Sequence, residues 1–245
     1  MNKKDIRLIA LDLDGTVLHT DLTVSIENER AIKQAIKNGV EVIFATGRHY
    51  STCVDYARAL GVKYLITVNG GEIWTTDGEL LDRNPLLPEA LNKFKQIHQT
   101  YNPWTWLVST EKVWRNEHPS DYDAHTWLKY GFDITEDEVR KKIIDELAGE
   151  TDIEVTNSSP TNLEVNAVGI NKARAIEKLC EKLDIKMNQV MTMGDSLNDI
   201  KMIEESGFGV AMENAQDEVK KVADWVTTHH TKDGVAEAIN KWVVE

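Results

Sequence analysis

The run IRLIALDLD at residues 6–14 most constrains the fold, because it is apolar at both odd and even positions. A strand with this pattern has both faces covered, as in a parallel sheet that lies between two layers of helices. The run ends in two acidic residues, Asp12 and Asp14, with Gly15 directly after them. The pattern predicts an α/β, doubly wound parallel-sheet (Rossmann-like) fold, in which functional residues follow the carboxyl ends of the strands.

The alternation of strands and helices is interrupted once along the chain. It is regular at both ends, whereas the stretch between them begins with two prolines, Pro85 and Pro88, and mixes strands with helices. The sequence therefore predicts a core domain of residues 1–83 and 167–245, with an inserted α+β cap domain of residues 84–166. Within the insert, strands are predicted in 103–117 and 152–168, and helices after Pro88 and in 121–132 and 135–147.

The composition excludes several classes of partner. The 245 residues carry a formal net charge of −13, which repels the phosphates of nucleic acids and of anionic membranes. The two cysteines, Cys53 and Cys180, are far apart, which argues against a zinc site or a disulfide framework. The N-terminal apolar run is too short for a signal peptide or a membrane span. We therefore expect a cytoplasmic monomer or homodimer that binds neither nucleic acid nor membranes.

Polar residues also accompany the ends of the other core strands. The strand at 40–46 ends in Thr46 and is followed by Gly47 and Arg48, and the next strand is followed by Asn69. Lys172 opens the helix after the insert. The strand at 189–194 is followed by Asp195, Asn198 and Asp199. Because the carboxyl ends of parallel strands meet at one edge of a sheet, we expect residues as distant as 12 and 195 to lie close together.

Each of these residues alone has an ordinary structural explanation. A single aspartate after a strand is usually a helix cap or a turn former, and a lysine at a helix start is usually solvated. Asp12 and Asp14 together resist this explanation, because two carboxylates at the end of a buried strand repel each other unless a cation lies between them. The whole set therefore favours a functional site.

Four stretches resemble, in chain order, the motifs of the haloacid dehalogenase-like phosphatases: DLDGT at 12–16, TGR at 46–48, the helix-opening Lys172, and GDSLND at 194–199. The C-terminal stretch from residue 194 and TVNGGEIW at 67–74 resemble the Cof-type subfamily, whose members carry an inserted α/β cap. The resemblance covers the core and the position of the insert, but not the sequence of the cap. Ala173 departs from the family pattern, in which glycine often follows the lysine.

The resemblance implies a catalytic role for four residues. Asp12 would be the nucleophile that forms an aspartyl phosphate, and Asp14 would protonate the leaving group and then activate water. Thr46 would bind a phosphoryl oxygen, and Lys172 would balance the charge on the phosphoryl group and on Asp12. A magnesium ion, Mg2+, would be bound by the carboxylates of Asp12 and Asp195 and by the main-chain carbonyl of Asp14.

The resemblance also implies a set of residues that binds the phosphorylated substrate. Its members are Thr46, Gly47, Arg48, Asn69, Lys172 and Asn198. A second interpretation of Arg48 is an ion pair with a carboxylate of the core. Asp199 is expected to anchor Lys172 or its own loop.

The insert would supply further substrate contacts, and it holds four of the seven tryptophans: Trp104, Trp106, Trp114 and Trp127. They are open to two interpretations, an aromatic platform for a base or sugar ring and packing in the core of the cap. Packing is favoured, because a small domain needs bulky residues to build a core. Arg115, His118 and Lys129 are further candidate contacts, and His229 and His230 are expected at the surface.

The sequence thus predicts a Mg2+-dependent phosphatase of small phosphorylated metabolites, such as a sugar phosphate, a nucleotide or a cofactor phosphate, that works through an aspartyl phosphate. The alternatives are a phosphomutase and a non-catalytic phosphometabolite-binding regulatory protein. The Cof-like C-terminal stretch argues against a mutase. The presence of both Asp12 and Asp14 argues against a binding protein, which does not need two such carboxylates.

Overall fold

The computed structural model describes residues 5–244, which form two β-sheets and eight α-helices. The strands are β1 (Leu8–Leu11), β2 (Glu41–Ala45), β3 (Tyr64–Thr67), β4 (Glu72–Thr75), β5 (Leu80–Arg83), β6 (Trp104–Ser109), β7 (Val113–Arg115), β8 (Trp127–Asp133), β9 (Ile153–Thr156), β10 (Asn162–Ala167), β11 (Val190–Gly194), β12 (Phe208–Ala211) and β13 (Trp225–Val226). The helices are α1 (Ile26–Lys37), α2 (Val54–Leu60), α3 (Pro88–Tyr101), α4 (Asp137–Leu147), α5 (Lys172–Leu183), α6 (Ile200–Glu205), α7 (Asp217–Val222) and α8 (Gly234–Ile239). Across residues 5–244, every helix is too short or too polar to cross a membrane.

The core sheet contains eight strands in the order β13-β12-β11-β1-β2-β3-β4-β5. The strands from β13 to β3 are parallel, and β4 and β5 add an antiparallel edge. In the central strand β1, Ile9 and Leu11 pack with residues of α1, α2 and α8, whereas Leu8 and Ala10 pack with residues of α5 and α6 on the other face. Both faces of β1 are therefore covered, and the predicted doubly wound parallel sheet is confirmed.

The start of α5 is fixed by a local signal that matters for the site. The side-chain oxygen of Asn171 accepts a hydrogen bond from the backbone N–H of Arg174 at 3.0 Å and so caps the helix. Lys172 is consequently the first residue of α5. Because side chains in a helix lean toward its N-terminus, Lys172 can reach back toward the carboxyl ends of the core strands.

The cap sheet is antiparallel and has the strand order β7-β6-β8-β10-β9. One of its faces packs against α3 and α4, in a cluster that includes Leu107, Tyr130 and Phe132 of the strands with Phe94 and Ile143 of the helices. Since side chains alternate along a strand, the residues between these face the opposite way, toward the carboxyl ends of the core strands. The sheet is therefore covered by helices on one side and by the core on the other.

The prediction of a helix at 121–132 is wrong. The structure has a short 3-10 turn at Tyr122–Ala124, and Trp127–Asp133 form β8, the central strand of the cap sheet. Residues Trp127 to Phe132 are all buried, because β8 lies between the cap helices and the core. A strand that is buried on both faces loses the polar-apolar alternation by which strands are recognised, and its sequence can then be mistaken for a buried helix.

Candidate active site

Asp12 and Lys172 meet at the carboxyl end of β1. The Lys172 Nζ donates hydrogen bonds to Asp12 Oδ1 at 2.6 Å and to Asp199 Oδ1 at 2.7 Å, and its side chain is fully buried. Burial alone would lower the pKa of Lys172, but the carboxylates of Asp12 and Asp199 outweigh it and hold the pKa above its usual value. The ammonium group therefore stays charged beside Asp12.

Asp199 organises the loop that follows β11. Its Oδ2 accepts hydrogen bonds from the backbone N–H groups of Asp195 at 2.9 Å and Ser196 at 3.0 Å. Both of its oxygens are thus used, one by this loop and one by Lys172. Asp199 anchors Lys172 and the loop together, and it has no oxygen left that is free of a protein hydrogen bond.

Three carboxylates crowd this end of the sheet. Asp12, Asp195 and Asp199 each place an oxygen within 4.8 Å of the others. Burial raises the pKa of Asp12 well above its usual value, despite the opposing charge of Lys172, and burial followed by the charge of Asp199 raises the pKa of Asp195 to about 7. Both shifts come chiefly from burial, and a cation bound beside these carboxylates would favour their charged forms.

The residues present fit a small divalent cation. Asp195 Oδ1 is buried without a hydrogen-bond partner among the residues that the structure describes. Gly15 leaves room for this carboxylate, since a Cβ at position 15 would lie 2.4 Å from Asp195 Oδ2. An oxygen ligand without another partner, next to Asp12, is the donor set that a hard cation such as Mg2+ prefers. The carboxylate of Asp14 is bound by Arg48 instead and does not join this group.

Asp14 and Arg48 form a two-pronged ion pair at the rim. Arg48 Nε donates to Asp14 Oδ2 at 2.7 Å, and Arg48 Nη2 donates to Asp14 Oδ1 at 2.6 Å. These hydrogen bonds raise the pKa of Arg48. A paired fork of this kind fixes the plane of the carboxylate as well as its position. The interpretation of Arg48 as the partner of a core carboxylate is therefore confirmed.

The remaining predicted residues divide between the wall of a cavity and the layer beneath it. The cavity has a volume of about 360 Å³ and lies between the core and the cap. Asp12, Asp14, Gly47, Arg48 and Asn198 line it from the core side. Thr46, Asn69 and Lys172 are buried beneath the wall, where the Thr46 hydroxyl accepts the backbone N–H of Arg48 at 3.2 Å. Asp195 is half-buried and does not line the cavity.

A family model for haloacid dehalogenase-like hydrolases matches residues 9–141 and 116–239. The chain belongs to this family. It is 48% identical to the 5-amino-6-(5-phospho-D-ribitylamino)uracil phosphatase of Bacillus subtilis (strain 168) over 241 residues, which cover 98% of this chain and 97% of the relative. The phosphoglycolate phosphatase of Methanothermobacter thermautotrophicus is 30% identical and covers 97% of this chain and 99% of its own.

Solved structures show the same fold. A haloacid dehalogenase-like hydrolase from B. subtilis has a TM-score of 0.89 at 23% identity, covering 96% of this chain and 99% of its own. The phosphatase BT1666 from Bacteroides thetaiotaomicron has a TM-score of 0.86 at 24% identity, covering 98% and 96%. The expectation that this chain is a phosphatase of the haloacid dehalogenase-like type is confirmed by the family match and these relatives.

In this haloacid dehalogenase-like hydrolase, the core and the cap are joined by a buried polar network. Lys129 Nζ, from β8, donates to the Gly47 carbonyl at 2.8 Å and to Glu164 Oε2 at 3.1 Å. Glu164, from β10, also accepts from Asn69 at 2.5 Å and from Ser158 at 2.7 Å. Burial would raise the pKa of Glu164, but the Lys129 ammonium and these hydrogen bonds together lower it.

This network changes one expectation for the substrate contacts and brings in two residues that the sequence analysis did not identify. Asn69 was expected to bind substrate, but its side chain is engaged with Glu164, Asn166 and Asn198, and it lies behind the wall of the cavity. Glu164 and Ser158 line the cavity. They could not be predicted from the sequence, because polar residues in and beside a cap strand resemble ordinary surface residues. Their only signal is the polar content of the stretch 157–166.

The other candidates in the cap fall on both sides of its sheet. Arg115 and Lys129 line the cavity. His118 follows β7 and lies on the helix-covered side, where it is hydrogen-bonded to Thr105 at 2.9 Å and to Tyr122 at 2.5 Å and stacks on His98 of α3.

Packing in the cap core accounts for only two of its four tryptophans. Trp127 is buried there and Trp114 packs against it. The packing interpretation is wrong for Trp104, which lines the cavity and is 46% exposed. Trp106 also lines the cavity, and it packs against a small cluster where the cap meets the core instead of under the cap helices. Their parity on β6 places them on the face that the helices do not cover, because Leu107 occupies the helix-covered face.

The expectation of a surface position is also wrong for His230. This residue is buried, and its Nδ1 donates a hydrogen bond to the carbonyl of Leu18 at 2.8 Å. The histidine thereby ties the C-terminal segment to the loop after β1.

Proposed function

We propose that this chain is a Mg2+-dependent phosphatase that forms an aspartyl phosphate on Asp12 and acts on a small phosphorylated metabolite. The observation that carries the proposal is the position of Asp12 at the wall of the cavity, where Lys172 holds one of its oxygens and Asp14 stands two residues away. A bound phosphoryl group would there meet a nucleophile, a counter-charge and a proton donor together.

The reaction divides into two displacements at phosphorus. In the first, Oδ2 of Asp12 attacks, the bond between phosphorus and the ester oxygen breaks, and protonated Asp14 gives its proton to the leaving alcohol. In the second, ionised Asp14 takes a proton from water as the water oxygen attacks the aspartyl phosphate. Inorganic phosphate and the Asp12 carboxylate are released, and Asp14 is again protonated. Arg48 orients Asp14 through both carboxylate oxygens.

The same site stabilises the charge of the transferring phosphoryl group. Lys172 supplies a fixed ammonium group, and the Thr46 hydroxyl and the backbone N–H groups after β2 bind phosphoryl oxygens. Mg2+ would be held by the carboxylates of Asp12 and Asp195 and by the main-chain carbonyl of Asp14. When bound, it supplies the positive charge that the buried carboxylates and the phosphate require.

The finer part of the proposal concerns the substrate and the domains. We take 5-amino-6-(5-phospho-D-ribitylamino)uracil, for which the B. subtilis relative is named, as the substrate of this chain, because the similarity spans nearly the whole of both proteins. The cavity of about 360 Å³ has a charged core side and a more apolar cap side, which suits a phosphate at one end and a small ring at the other. Residues 1–83 and 167–245 would be the catalytic domain, and 84–166 the domain that selects the substrate.

An Asp14→Asn variant tests the mechanism most sharply. The nitrophenolate released from 4-nitrophenyl phosphate needs no proton to leave, so Asp12 should still become phosphorylated, while hydrolysis of the aspartyl phosphate stalls. We expect a burst of about one nitrophenolate per active site, followed by slow turnover, in rapid-mixing absorbance measurements. Wild type with EDTA should release phosphate neither from this compound nor from the ribitylaminouracil phosphate.

An Asp12→Asn variant is the matched control, since it removes the same charge two residues away. It should show no burst and no turnover. Turnover by this variant at the wild-type rate would refute Asp12 as the nucleophile. Transfer of the phosphoryl group to a second hydroxyl without phosphate release would indicate a mutase. Tight binding of substrate with no burst from either wild type or Asp14→Asn would indicate a binding protein.

A further inference from the structure

The face of the cap sheet that looks into the cavity is unusually rich in aromatic surface. Trp104 and Trp106, on β6, are two residues apart and present their indoles side by side, with ring centroids 5.9 Å apart and planes inclined by 37°. Both line the cavity, and neither is fully buried. An exposed aromatic pair inside a cavity is poorly placed for core packing and well placed for a ligand.

Gly131 explains how the Trp106 indole can lie so close to β8. Gly131 of β8 is directly opposite Trp106 in the antiparallel register, so a side chain at 131 would stand on the same face. A Cβ there would lie 2.1 Å from Trp106 Cε2 and 2.4 Å from Cδ2 and Cζ2. The indole therefore occupies the space that a side chain at position 131 would fill, and Trp106 also lines the cavity.

The surroundings of Trp106 hold the ring in this orientation. It packs against the small cluster of Val68, Val108 and Leu128, where the cap meets the core. Lys129, two residues before Gly131, is fixed by the Gly47 carbonyl and by Glu164. These contacts attach β8 to the loop after β2, and Gly47 and Arg48 of that loop line the same cavity as Asp12 and Asp14.

We infer that Trp104 and Trp106 form a stacking platform for a planar ring at the end of the substrate farthest from the phosphate, and that Gly131 is the positioning residue for this platform. The inference rests on the proposed phosphatase function of the same site. A flat heteroaromatic ring stacks on an indole whichever polar groups it carries on its edge, so the platform selects for the presence of a ring. Phosphorylated polyols without a ring lose this contact.

Two substrates that share the phosphorylated polyol test the inference: 5-amino-6-(5-phospho-D-ribitylamino)uracil, and D-ribitol 5-phosphate, in which a hydroxyl replaces the ring and its linking amine. We expect Trp106→Leu to raise KM for the first by about tenfold with kcat little changed, since stacking on the distal ring is the same in the ground and transition states. Trp106→Phe should recover part of this loss. The kinetic constants for D-ribitol 5-phosphate should stay within about twofold of wild type.

Gly131→Ala tests the positioning role without removing an aromatic ring. The added methyl group displaces the Trp106 indole, so this variant should lose the preference for the ring-bearing substrate as Trp106→Leu does. Trp114→Leu is the matched control, because Trp114 belongs to the same sheet but packs toward the cap helices. It should lower the thermal midpoint and leave the ratio of kcat/KM values between the two substrates unchanged. If Gly131→Ala fails to fold, Trp104→Leu provides a second test of the platform, and it should also reduce the preference for the ring-bearing substrate.

The outcomes separate this inference from the function on which it rests. Hydrolysis of both substrates by wild type, with a ratio that none of the platform variants changes, would overturn the platform and leave the phosphatase proposal intact. An equal loss on both substrates would mean that Trp106 only covers Gly131 to stabilise the sheet, and would also overturn it. Hydrolysis of neither substrate by wild type would overturn the proposed function and the platform together.

Discussion

Replacing Lys129 by methionine tests the buried network between the cap and the core. The Lys129 side chain is 3% exposed and that of its partner Glu164 is 5% exposed. Methionine keeps most of the volume of the lysine stem but removes the ammonium group. The variant therefore leaves the Glu164 carboxylate buried, with the hydrogen bonds from Asn69 and Ser158 as its remaining partners.

The expected loss follows from the cost of an uncompensated buried charge. Removing one member of a buried ion pair costs about 3–5 kcal/mol in the free energy of unfolding. The two hydrogen bonds that remain on Glu164 place the expectation at the lower end, about 3 kcal/mol at pH 7. In the double variant Lys129→Met with Glu164→Gln, the buried charge is gone, and we expect most of this loss to be recovered.

The loss should depend on pH with a defined sign. In wild type the pKa of Glu164 is lowered, so its contribution to stability is complete above the unfolded pKa of about 4.3 and is lost as the pH falls through the folded pKa. In Lys129→Met the main cause of the lowering is absent, and burial raises the folded pKa above the unfolded one. The cost of the buried charge is then present at pH 7 and is relieved as the pH falls. The free energies of unfolding of wild type and Lys129→Met should therefore become more similar between pH 7 and pH 5.

Urea unfolding followed by tryptophan fluorescence provides the assay, because four of the seven tryptophans lie in the cap. Lys93→Met is the matched control: Lys93 forms a more exposed pair with Glu146 of the same cap, and its loss should cost at most about 1 kcal/mol. A loss for Lys129→Met no larger than for Lys93→Met, or one that stays constant between pH 7 and pH 5, would refute the reasoning.

Two further substitutions probe the acidic end of the core sheet. Gly15→Ala should raise the Mg2+ concentration for half-maximal phosphatase activity by about tenfold or more, because its Cβ would lie 2.4 Å from Asp195 Oδ2. Gly39→Ala is its control, with a similar positive φ of 86° and, among residues 5–244, no heavy atom within 4 Å of the new Cβ, and it should leave the Mg2+ requirement unchanged. Asp199→Asn should lower kcat by about 10- to 100-fold in steady-state phosphate release, because Lys172 loses one of its two carboxylate partners, and a change under twofold would contradict the anchoring role.

The core could be predicted well because local sequence and topology agree there. β1 is apolar at both odd and even positions because helices cover both of its faces. The polar residues at the strand ends meet at one edge because parallel strands all end on the same side of the sheet. Asp12, Lys172 and Asp199 lie within hydrogen-bonding distance although they come from distant parts of the chain. Asn69 also lies at this edge, but its side chain binds Glu164 of the cap. This contact could not be predicted, because Glu164 belongs to no recognisable motif.

The cap was harder to predict because its faces are assigned by long-range packing. The spacing of Trp104 and Trp106 shows that they share a face, but which face the helices cover depends on how α3 and α4 fold back on the sheet. The same dependence hides β8, whose residues are buried from both sides and so lack alternation. Lys129 and Glu164 look like solvated strand residues until the core closes over them.

The order of strands in the core sheet has a consequence for how the protein is made. β1, near the N-terminus, pairs on one side with β2 and on the other with β11. The contact between Asp12 and Lys172 likewise spans 160 residues of sequence. During synthesis, one edge of β1 has no partner until the ribosome has released the chain beyond residue 194. Until then the nascent chain exposes an apolar strand edge, and this interval is the one in which chaperone binding or aggregation competes with folding.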